Sequence, residues 1–286
     1  MNKILLYRII VLYFLENFIN GGVVVLGSIK KAVIILEVLS KKKDGCGIIH
    51  LSKELGMPPS TVHYILQEMI RLDLVTQNNS GGNKQYYIGS KLLSLGSSYL
   101  HHNNITNLAG PHIARVSAAV QETVFLAMLS NDNIICTSVE MGCNKGLPFY
   151  IEVGRVMPLN GSTSAWAIMA YLPPEKVLRM IEQHDFPKFI YGLPRNKAEL
   201  LDVIKKTQKR SYAIGFGPLD EDVMCVGMPI CDYTGYAVAS INVLGARKRL
   251  ADPEKQRLTI KVLQKESMDF SQRLGYIKKT PVEVSP

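Results

Sequence analysis

The first residues of the chain are strongly apolar and differ from everything that follows. Residues 4–15 read ILLYRIIVLYFL, with Arg8 as the one charged residue. A membrane-spanning helix needs about 20 apolar residues, and Glu16 ends this run early, so we do not expect a membrane span. We interpret residues 1–27 as an N-terminal extension, of which residues 1 to about 24 precede the true start of translation. An amphipathic packing helix and a targeting segment stay open as alternatives.

Three short helices are predicted between Ser28 and Leu72. Ser28 is a favourable N-cap residue for a helix over 29–40, in which apolar residues recur at helical spacing. A second helix over 49–57 is closed by Gly56, which suits the left-handed conformation of a tight turn between helices. A Pro-Pro pair opens the third helix, which runs to about Leu72. Its apolar stripe comprises Val62, Ile65, Leu66, Met69 and Leu72.

The third helix begins with small and polar residues, as a DNA-reading helix does. Two short helices joined by a glycine can place the second helix in the major groove, with its first side chains at base edges. A helical hairpin that only packs is the alternative, but it would not need the strand–turn–strand pattern at 74–89. That pattern predicts a β-wing along the phosphate backbone. We expect Lys84 of the wing and Lys31 of the first helix to contact phosphate groups. We expect base or near-base contacts from Ser60, Thr61, His63, Tyr64 and Gln67.

After the wing, the pattern changes. Residues 90–104 predict a linker helix with an apolar face, 105–276 a mixed α/β domain, and 277–286 a flexible tail. Strands first, helices crossing the sheet and an antiparallel end indicate a GAF-like domain. With the winged helix-turn-helix at 28–89, the fold class is α+β. The expected helices cover 111–121, 165–172, 174–184, 197–210 and 253–274, and the expected strands 123–129, 134–140, 149–158, 212–216, 224–231 and 237–244.

Composition and charge narrow the class of protein. The 286 residues exceed the usual size of a single core, about 100–150 residues, so we expect two domains. A hydrophobic share of 47% and a charged share of 20% exclude a disordered chain. The net charge of +9 favours an anionic partner such as nucleic acid or a membrane surface. The five cysteines form no C-x-x-C pair, so neither a disulfide framework nor a structural zinc site is expected, and a reducing cytosol fits.

The segment Gly161–Ser164 combines small residues with a predicted helix start. The free N–H groups and partial positive charge of a helix N-terminus can bind a carboxylate or phosphate. Small side chains also let a ligand approach the backbone. Ordinary capping by Ser162 or Thr163 is the alternative, and these residues alone do not decide between the two.

Several fragments together resemble the IclR-type bacterial transcriptional regulators. They include SIKKAVIILEVLS, LSKELGMPPSTVHYILQEM, YYIGSKLLSLGSSYL and VGRVMPLNGSTSAWAIMAYLP, and the resemblance covers about residues 26–276. It implies a cytoplasmic regulator that binds a pseudo-palindromic promoter site in double-stranded DNA as a dimer or a dimer of dimers. It also implies a small-molecule effector, often a carboxylic acid, in the C-terminal domain. At matching positions, the implied effector contacts are Leu147, Phe149, Thr163, Ser164, Asp220, Cys225, Asn242 and Leu244.

The chain departs from the pattern of this family at two places. Ala165-Trp166 stands where a Gly-Lys pair is common, which favours a flatter or less charged effector. Pro59 and Tyr64 stand where Lys and Arg are common in the DNA-reading helix. Other basic residues must therefore supply more of the affinity for DNA of any sequence, namely Lys41, Lys42, Lys43, Arg71 and Lys84.

Two other functions stay open beside regulation. One is an enzyme that converts a small molecule with Cys225 as nucleophile, and the other is an interaction module without a regulatory role. The sequence has no P-loop, no G-x-S-x-G, no H-E-x-x-H and no dinucleotide-binding glycine pattern. We therefore expect no enzymatic activity, no cofactor, no metal site and no membrane partner.

Overall fold

The computed structural model describes residues 27–80, 83–102, 104–143, 149–183, 186, 193–216 and 222–277. The chain divides into two compact units, Met1–Tyr99 and Leu100–Pro286. The predicted N-terminal extension lies outside the described residues, apart from Gly27. The finer division, with a linker at 90–104 and a tail from 277, stays a prediction. No helix in the described part of the chain combines the length and apolar character needed to cross a lipid bilayer.

The first unit is a winged helix-turn-helix. Its buried core includes Ile35, Leu51, Val62, Leu66 and Tyr86, none of which is measurably exposed. The third helix therefore packs through the predicted stripe. Its described elements are α1 (Ser28–Ser40), α2 (Ile48–Leu55), α3 (Pro59–Arg71), β1 (Val75–Ser80) and β2 (Asn83–Ile88), and α4 (Ser90–His102) begins in this unit.

Three details of the first unit differ from the sequence-based prediction. Ser28 is the first residue of α1, and the N-cap is Gly27 without a side-chain hydrogen bond. Leu72 is 61% exposed because α3 ends at Arg71 and the chain turns away from the core. The wing strands are also longer than expected, since pairing continues to Ser80 and Asn83.

The loop between α1 and α2 joins the wing as a third, very short strand. Cys46 and Tyr86 exchange two backbone hydrogen bonds, Cys46 N to Tyr86 O at 3.0 Å and Tyr86 N to Cys46 O at 3.1 Å. The Tyr87 hydroxyl donates to the Asp44 carbonyl at 3.1 Å, and its ring lies over Gly45, which has a φ of 74°. A Cβ at Gly45 would lie 2.6 Å from this ring, so the close approach requires glycine. These contacts hold the wing against the helical part of the unit.

The second unit is a five-stranded antiparallel sheet with helices on both faces. The strand order is β4-β3-β7-β6-β5. One face packs on a core that contains Trp166, Ile168 and Leu200, and the other on a core that contains Val116 and Phe270. Its described elements are α5 (Asn104–Val120), β3 (Thr123–Ser130), β4 (Asn133–Glu140), α6 (Thr163–Met169), α7 (Pro174–Glu182), α8 (Lys197–Arg210), β5 (Ala213–Phe216), β6 (Val223–Cys231), β7 (Ala237–Ala246), α9 (Arg247–Leu250) and α10 (Pro253–Arg273).

The predicted strand over 149–158 is wrong. In this segment only Val156 forms a bridge, with Ile135 of β4. Gly154 has a φ of 90°, which turns the backbone out of the extended conformation. The predicted helix over 111–121 begins earlier, at Asn104, and runs through Pro111. The helices predicted to begin at residues 197 and 253 do so, and the side chains of Asn196 and Asp252 cap them by accepting backbone hydrogen bonds at 2.9 Å.

Candidate nucleic-acid interface and ligand pocket

One face of α3 is polar and exposed. Val62, Ile65, Leu66 and Met69 are buried. On the opposite side, a continuous stripe begins at Ser60 and comprises the residues three, four, seven and eleven positions further along the helix. The apolar stripe makes the contacts that hold the helix in the core. The polar stripe therefore faces solvent and takes no part in the packing of the core. The side chains of this stripe are Ser60, His63, Tyr64, Gln67 and Arg71, and all except the partly buried Gln67 are exposed.

The turn between α2 and α3 is rigidly built. Gly56 ends α2 in the left-handed conformation, with a φ of 61°. The Ser52 carbonyl accepts a hydrogen bond from Met57 N at 3.1 Å, and the Ser52 hydroxyl donates to the Met57 carbonyl at 2.5 Å. Pro58 then precedes the first turn of α3. The sequence prediction of this turn is confirmed, and it fixes the direction in which α3 leaves the core.

The predicted phosphate contacts differ in exposure and pairing. Lys84 of the wing is exposed, whereas Lys31 on α1 is partly buried. Arg71 Nη1 lies 2.7 Å from the Glu68 carboxylate, and Lys42 Nζ lies 3.4 Å from the carboxylate of Glu54. Among the predicted base contacts, Thr61 is half-buried, and its backbone N–H donates to the Pro58 carbonyl at 3.0 Å. Lys84 is therefore better exposed than Lys31 for a phosphate group.

In the second unit, five of the predicted effector residues come together. Thr163 and Ser164 at the start of α6 are buried, and the Thr163 hydroxyl donates to Cys225 Sγ at 2.8 Å. Cys225 pairs with Leu244 across β6 and β7. Asn242, two residues along the same face, is fully buried. Two strands, β6 and β7, and the helix α6 thus converge on a small set of uncharged side chains.

The hydrogen bonds of this cluster are incomplete. Asn242 Nδ2 donates to the Ser240 carbonyl and to the Ser240 hydroxyl, both at 3.1 Å. Asn242 Oδ1 has no hydrogen-bond partner among the described residues, and neither does the hydroxyl of Thr123 across the sheet from Leu244. The Ser162 and Ser164 hydroxyls hydrogen-bond to each other, and Ser162 makes no side-chain cap of α6. Capping therefore does not explain the serines at this helix start.

Glycines let α6 approach the sheet closely. A Cβ at Gly227 would lie 2.3 Å from Asn242 Oδ1 and 3.2 Å from the Thr163 carbonyl. A Cβ at Gly215 would lie 2.7 Å from the Trp166 ring. Trp166 Nε1 donates to the Leu159 carbonyl at 3.1 Å, so the indole is held in place. Trp166 thus fills the space beside the cluster with an uncharged ring.

The remaining predicted effector residues do not all fall within the structure. Leu147 and Asp220 lie outside the described residues, and Phe149 is half-buried. The structure also contains a surface cavity of about 530 Å³, which none of the predicted effector residues lines. Its lining consists of Val139, Met141, Tyr150, Ile151, Glu152 and Val153.

The chemistry of Cys225 does not favour a nucleophile. Burial raises the pKa of the Cys225 thiol to about 12, although the hydrogen bond from Thr163 acts in the opposite direction. A thiol with this pKa is protonated at neutral pH, and the thiolate is the nucleophilic form. Among the described residues, no group of three or more His, Cys, Asp or Glu side chains has the arrangement to bind a metal ion.

The sequence prediction missed a polar cluster between α5 and α10, in which His112 and Glu266 are buried and Arg115 is half exposed. His112 is fully buried and its Nδ1 donates to Glu266 Oε2 at 2.8 Å, while Arg115 Nη2 donates to the same oxygen at 2.7 Å. Burial lowers the pKa of His112 below its ordinary value of 6.5, against the effect of Glu266. Burial opposes ionisation of Glu266, but hydrogen bonds from Arg115 and His112 outweigh it and keep its pKa below 4.5. No sequence signal joins residues that lie 154 positions apart.

Family profiles match both units of the chain. Residues 97–271 match the profile described as "Bacterial transcriptional regulator IclR C-terminal", and residues 28–79 match the "IclR helix-turn-helix domain". The regulator KdgR of Dickeya chrysanthemi is 25% identical over 249 residues, which cover 87% of this chain and 80% of that protein.

Solved structures have the same fold. The Thermotoga maritima IclR matches with a TM-score of 0.68 and 24% identity, covering 87% of this chain and 99% of that one. An IclR homolog from Microbacterium hydrocarbonoxydans, crystallised with 4-hydroxybenzoate, matches with a TM-score of 0.68 and 17% identity, again covering 87% and 99%.

Proposed function

The chain belongs to the IclR family of bacterial transcriptional regulators, and from this premise we propose that the exposed stripe of α3 reads promoter DNA. The observation that carries the proposal is the stripe itself. Polar side chains occupy the solvent face of a helix whose other face is fully packed, directly after a tight turn and before a wing. Such a helix fits the major groove, where base edges are read by hydrogen bonds. Ser60, Thr61, His63, Tyr64 and Gln67 are the proposed contacts.

We propose that Lys84 contributes affinity without sequence information. An exposed wing lysine neutralises a phosphate and releases a counterion, so its removal weakens binding to every sequence about equally. We expect Lys84→Ala to lower the slope of log affinity against log salt by about 1. Fluorescence anisotropy titrations with a promoter duplex and a scrambled duplex, at several salt concentrations, measure this slope.

The matched control is Lys205→Ala, which removes an exposed lysine from α8 of the other unit. This variant changes net charge by the same amount, so it separates a local phosphate contact from a general charge effect. An equal change of slope in both variants would contradict a phosphate contact at Lys84.

We propose that the second unit binds a small-molecule effector at the cluster of Thr163, Ser164, Cys225, Asn242 and Leu244. The family resemblance adds Leu147, Phe149 and Asp220 as further proposed contacts. Buried acceptors without donors are costly, and Asn242 Oδ1 is such an acceptor. A carboxylic acid is the class of ligand that the family resemblance favours, and the Microbacterium homolog holds one, 4-hydroxybenzoate. An ionised carboxylate only accepts hydrogen bonds, so a hydroxyl or another donor on the same ligand must supply the hydrogen bond to Asn242 Oδ1. Binding of the effector would shift the balance between two states with different DNA affinity.

Thr163→Val tests this site, because valine keeps the shape of threonine and removes the hydroxyl. A panel of small carboxylic acids is first screened against the unchanged protein by thermal shift. An acid that raises the melting temperature should then do so less in the variant, whereas DNA affinity without the acid stays unchanged. If the acid raises the melting temperature of Thr163→Val as much as that of the unchanged protein, the effector does not bind at this cluster.

We propose that the protein acts in the cytoplasm as a homodimer or a dimer of dimers. Leu93 and Leu95 of α4 are 77% and 53% exposed, which is unusual for two neighbouring leucines of one helix. A two-fold dimer presents two α3 helices to a pseudo-palindromic site. Sedimentation velocity of the unchanged protein and of Leu93→Lys tests the assignment. We expect an oligomer for the unchanged protein and a smaller species for the variant. A monomer in both samples would contradict the proposal.

A further inference from the structure

The exposed stripe of α3 carries no free cation in its first two turns. Ser60, His63, Tyr64 and Gln67 come first, and Arg71 lies about 16 Å from Ser60 and about 6 Å from Gln67 along the helix axis, at 1.5 Å per residue. Arg71 also lies 2.7 Å from the Glu68 carboxylate. Because the N-terminal part of a reading helix meets the base edges, the side chains that reach bases first are the uncharged ones and His63.

This composition favours one kind of base pair. Guanine is most often read by the paired donors of Arg or Lys, whereas adenine is read by the amide of Asn or Gln, which matches its N6 and N7. Gln67 is the one side chain of the first two turns that has both a donor and an acceptor in this geometry. Tyr64, with 69% of its surface exposed, presents an apolar ring edge of the kind that contacts a thymine methyl group.

The wing has a similar composition. Its strands read VTQNNS and NKQYYI, with Lys84 as the single charged residue. In the antiparallel register, Asn78 pairs with Gln85 and Asn79 with Lys84. The minor groove of A·T pairs offers only acceptors, which amide N–H groups can match. Amide side chains are among those that proteins use to read this groove.

Resting on the proposed function, we propose that each half-site of the operator is rich in A·T pairs, with Gln67 paired to an adenine and Tyr64 beside a thymine methyl group. The wing lies along the adjacent A·T-rich minor groove. The preference for one DNA sequence then comes from the amide of Gln67 and the ring of Tyr64. The Arg and Lys side chains of the first unit bind the phosphate backbone instead.

Selection from a random duplex library tests the inference directly. The full-length protein retains duplexes over several rounds, and the retained pool is sequenced. We expect a two-fold symmetric motif whose half-sites are dominated by A·T pairs. A symmetric motif with G·C pairs at its most invariant positions would overturn this inference while leaving the proposed function intact. A pool without any enriched motif would instead overturn the proposed function.

Base analogues and one substitution locate the contact. Replacing the contacted adenine by 7-deazaadenine removes N7 and should weaken binding about ten-fold at one position only. Gln67→Arg should shift the preferred pair at that same position from A·T to G·C. Gln264→Arg, an exposed position on α10 with the same change of charge, is the matched control and should leave the preferred sequence unchanged. If no adenine responds to the analogue, or if Gln67→Arg keeps the original preference, Gln67 does not read adenine.

Discussion

The first two turns of the α3 stripe and the cluster around Thr163 both consist mainly of polar side chains other than Lys, Arg, Asp and Glu, yet they lie in opposite environments. On α3, Ser60, His63 and Tyr64 are exposed, and the opposite face of the helix supplies the packing. Around Thr163, the hydroxyls and the amide of Asn242 are buried and bonded mainly to each other. The side chains of the α3 stripe can bind a partner by displacing water alone. The side chains around Thr163 must give up hydrogen bonds within the protein in order to form hydrogen bonds to a ligand.

This difference assigns different tolerances to the two regions. Side chains on the α3 stripe contribute little to folding, so they are free to change with the DNA sequence that they read. Side chains of the buried cluster are held in contact with the sheet, so most changes there affect stability as well. A substitution in the cluster therefore needs a control for folding before its effect on a ligand can be interpreted.

Gly227→Val is the change with the largest expected effect. The new Cβ would lie 2.3 Å from Asn242 Oδ1 and 3.2 Å from the Thr163 carbonyl. Valine favours strands, so any loss comes from the steric conflict and not from propensity. We expect the free energy of unfolding of the second unit to fall by about 3 kcal/mol, which chemical denaturation measures.

The control for this change is Gly96→Ala in α4. A Cβ there meets nothing within 4 Å, and alanine is a better helix residue than glycine by about 1 kcal/mol. The control should therefore be neutral or stabilising. Equal losses in the two variants would contradict the close approach of α6 to the sheet.

Acidification should destabilise the second unit through His112. Its pKa in the folded protein lies below the ordinary value of 6.5, so the unfolded chain binds the proton first as pH falls. The stabilisation is complete above pH 6.5 and is lost as pH falls from 6.5 to the folded-state pKa, at up to about 1.4 kcal/mol per pH unit. Glu266, whose pKa is also lowered, adds a second loss as pH falls below 4.5.

His112→Phe removes the titration and keeps a ring against Phe270, on which His112 stacks with centroids 4.7 Å apart. The pH dependence of unfolding between pH 7 and 5.5 should be flatter in this variant than in the unchanged protein. Parallel curves would show that another group titrates in this range.

Tyr86→Phe should have a smaller effect, and with the opposite sign. The Tyr86 hydroxyl is buried and has no hydrogen-bond partner among the described residues. Removing an unpaired buried hydroxyl should stabilise the first unit by about 1 kcal/mol. In Tyr87→Phe the lost hydroxyl donates to Asp44, so this variant should lose a few tenths of a kcal/mol. A loss of stability in Tyr86→Phe would contradict the unpaired hydroxyl.

The sequence predicts the α3 stripe because helical periodicity is local. Val62, Ile65, Leu66 and Met69 define the buried face, and the exposed stripe follows from their spacing. The strand expected over 149–158 fails because backbone turns such as Gly154 decide pairing more than apolar content does. The cluster of His112, Arg115 and Glu266 depends on the packing of two helices that are distant in the chain, which periodicity does not encode.

Discrimination between DNA sequences tests the central claim most directly. The ratio of affinities for a selected duplex and its scrambled version is measured at one salt concentration, for the unchanged protein and for His63→Ala combined with Tyr64→Ala. If the α3 stripe reads DNA, the ratio falls by at least about ten-fold while affinity for the scrambled duplex and the melting temperature stay unchanged. A double variant that discriminates as well as the unchanged protein would contradict the account.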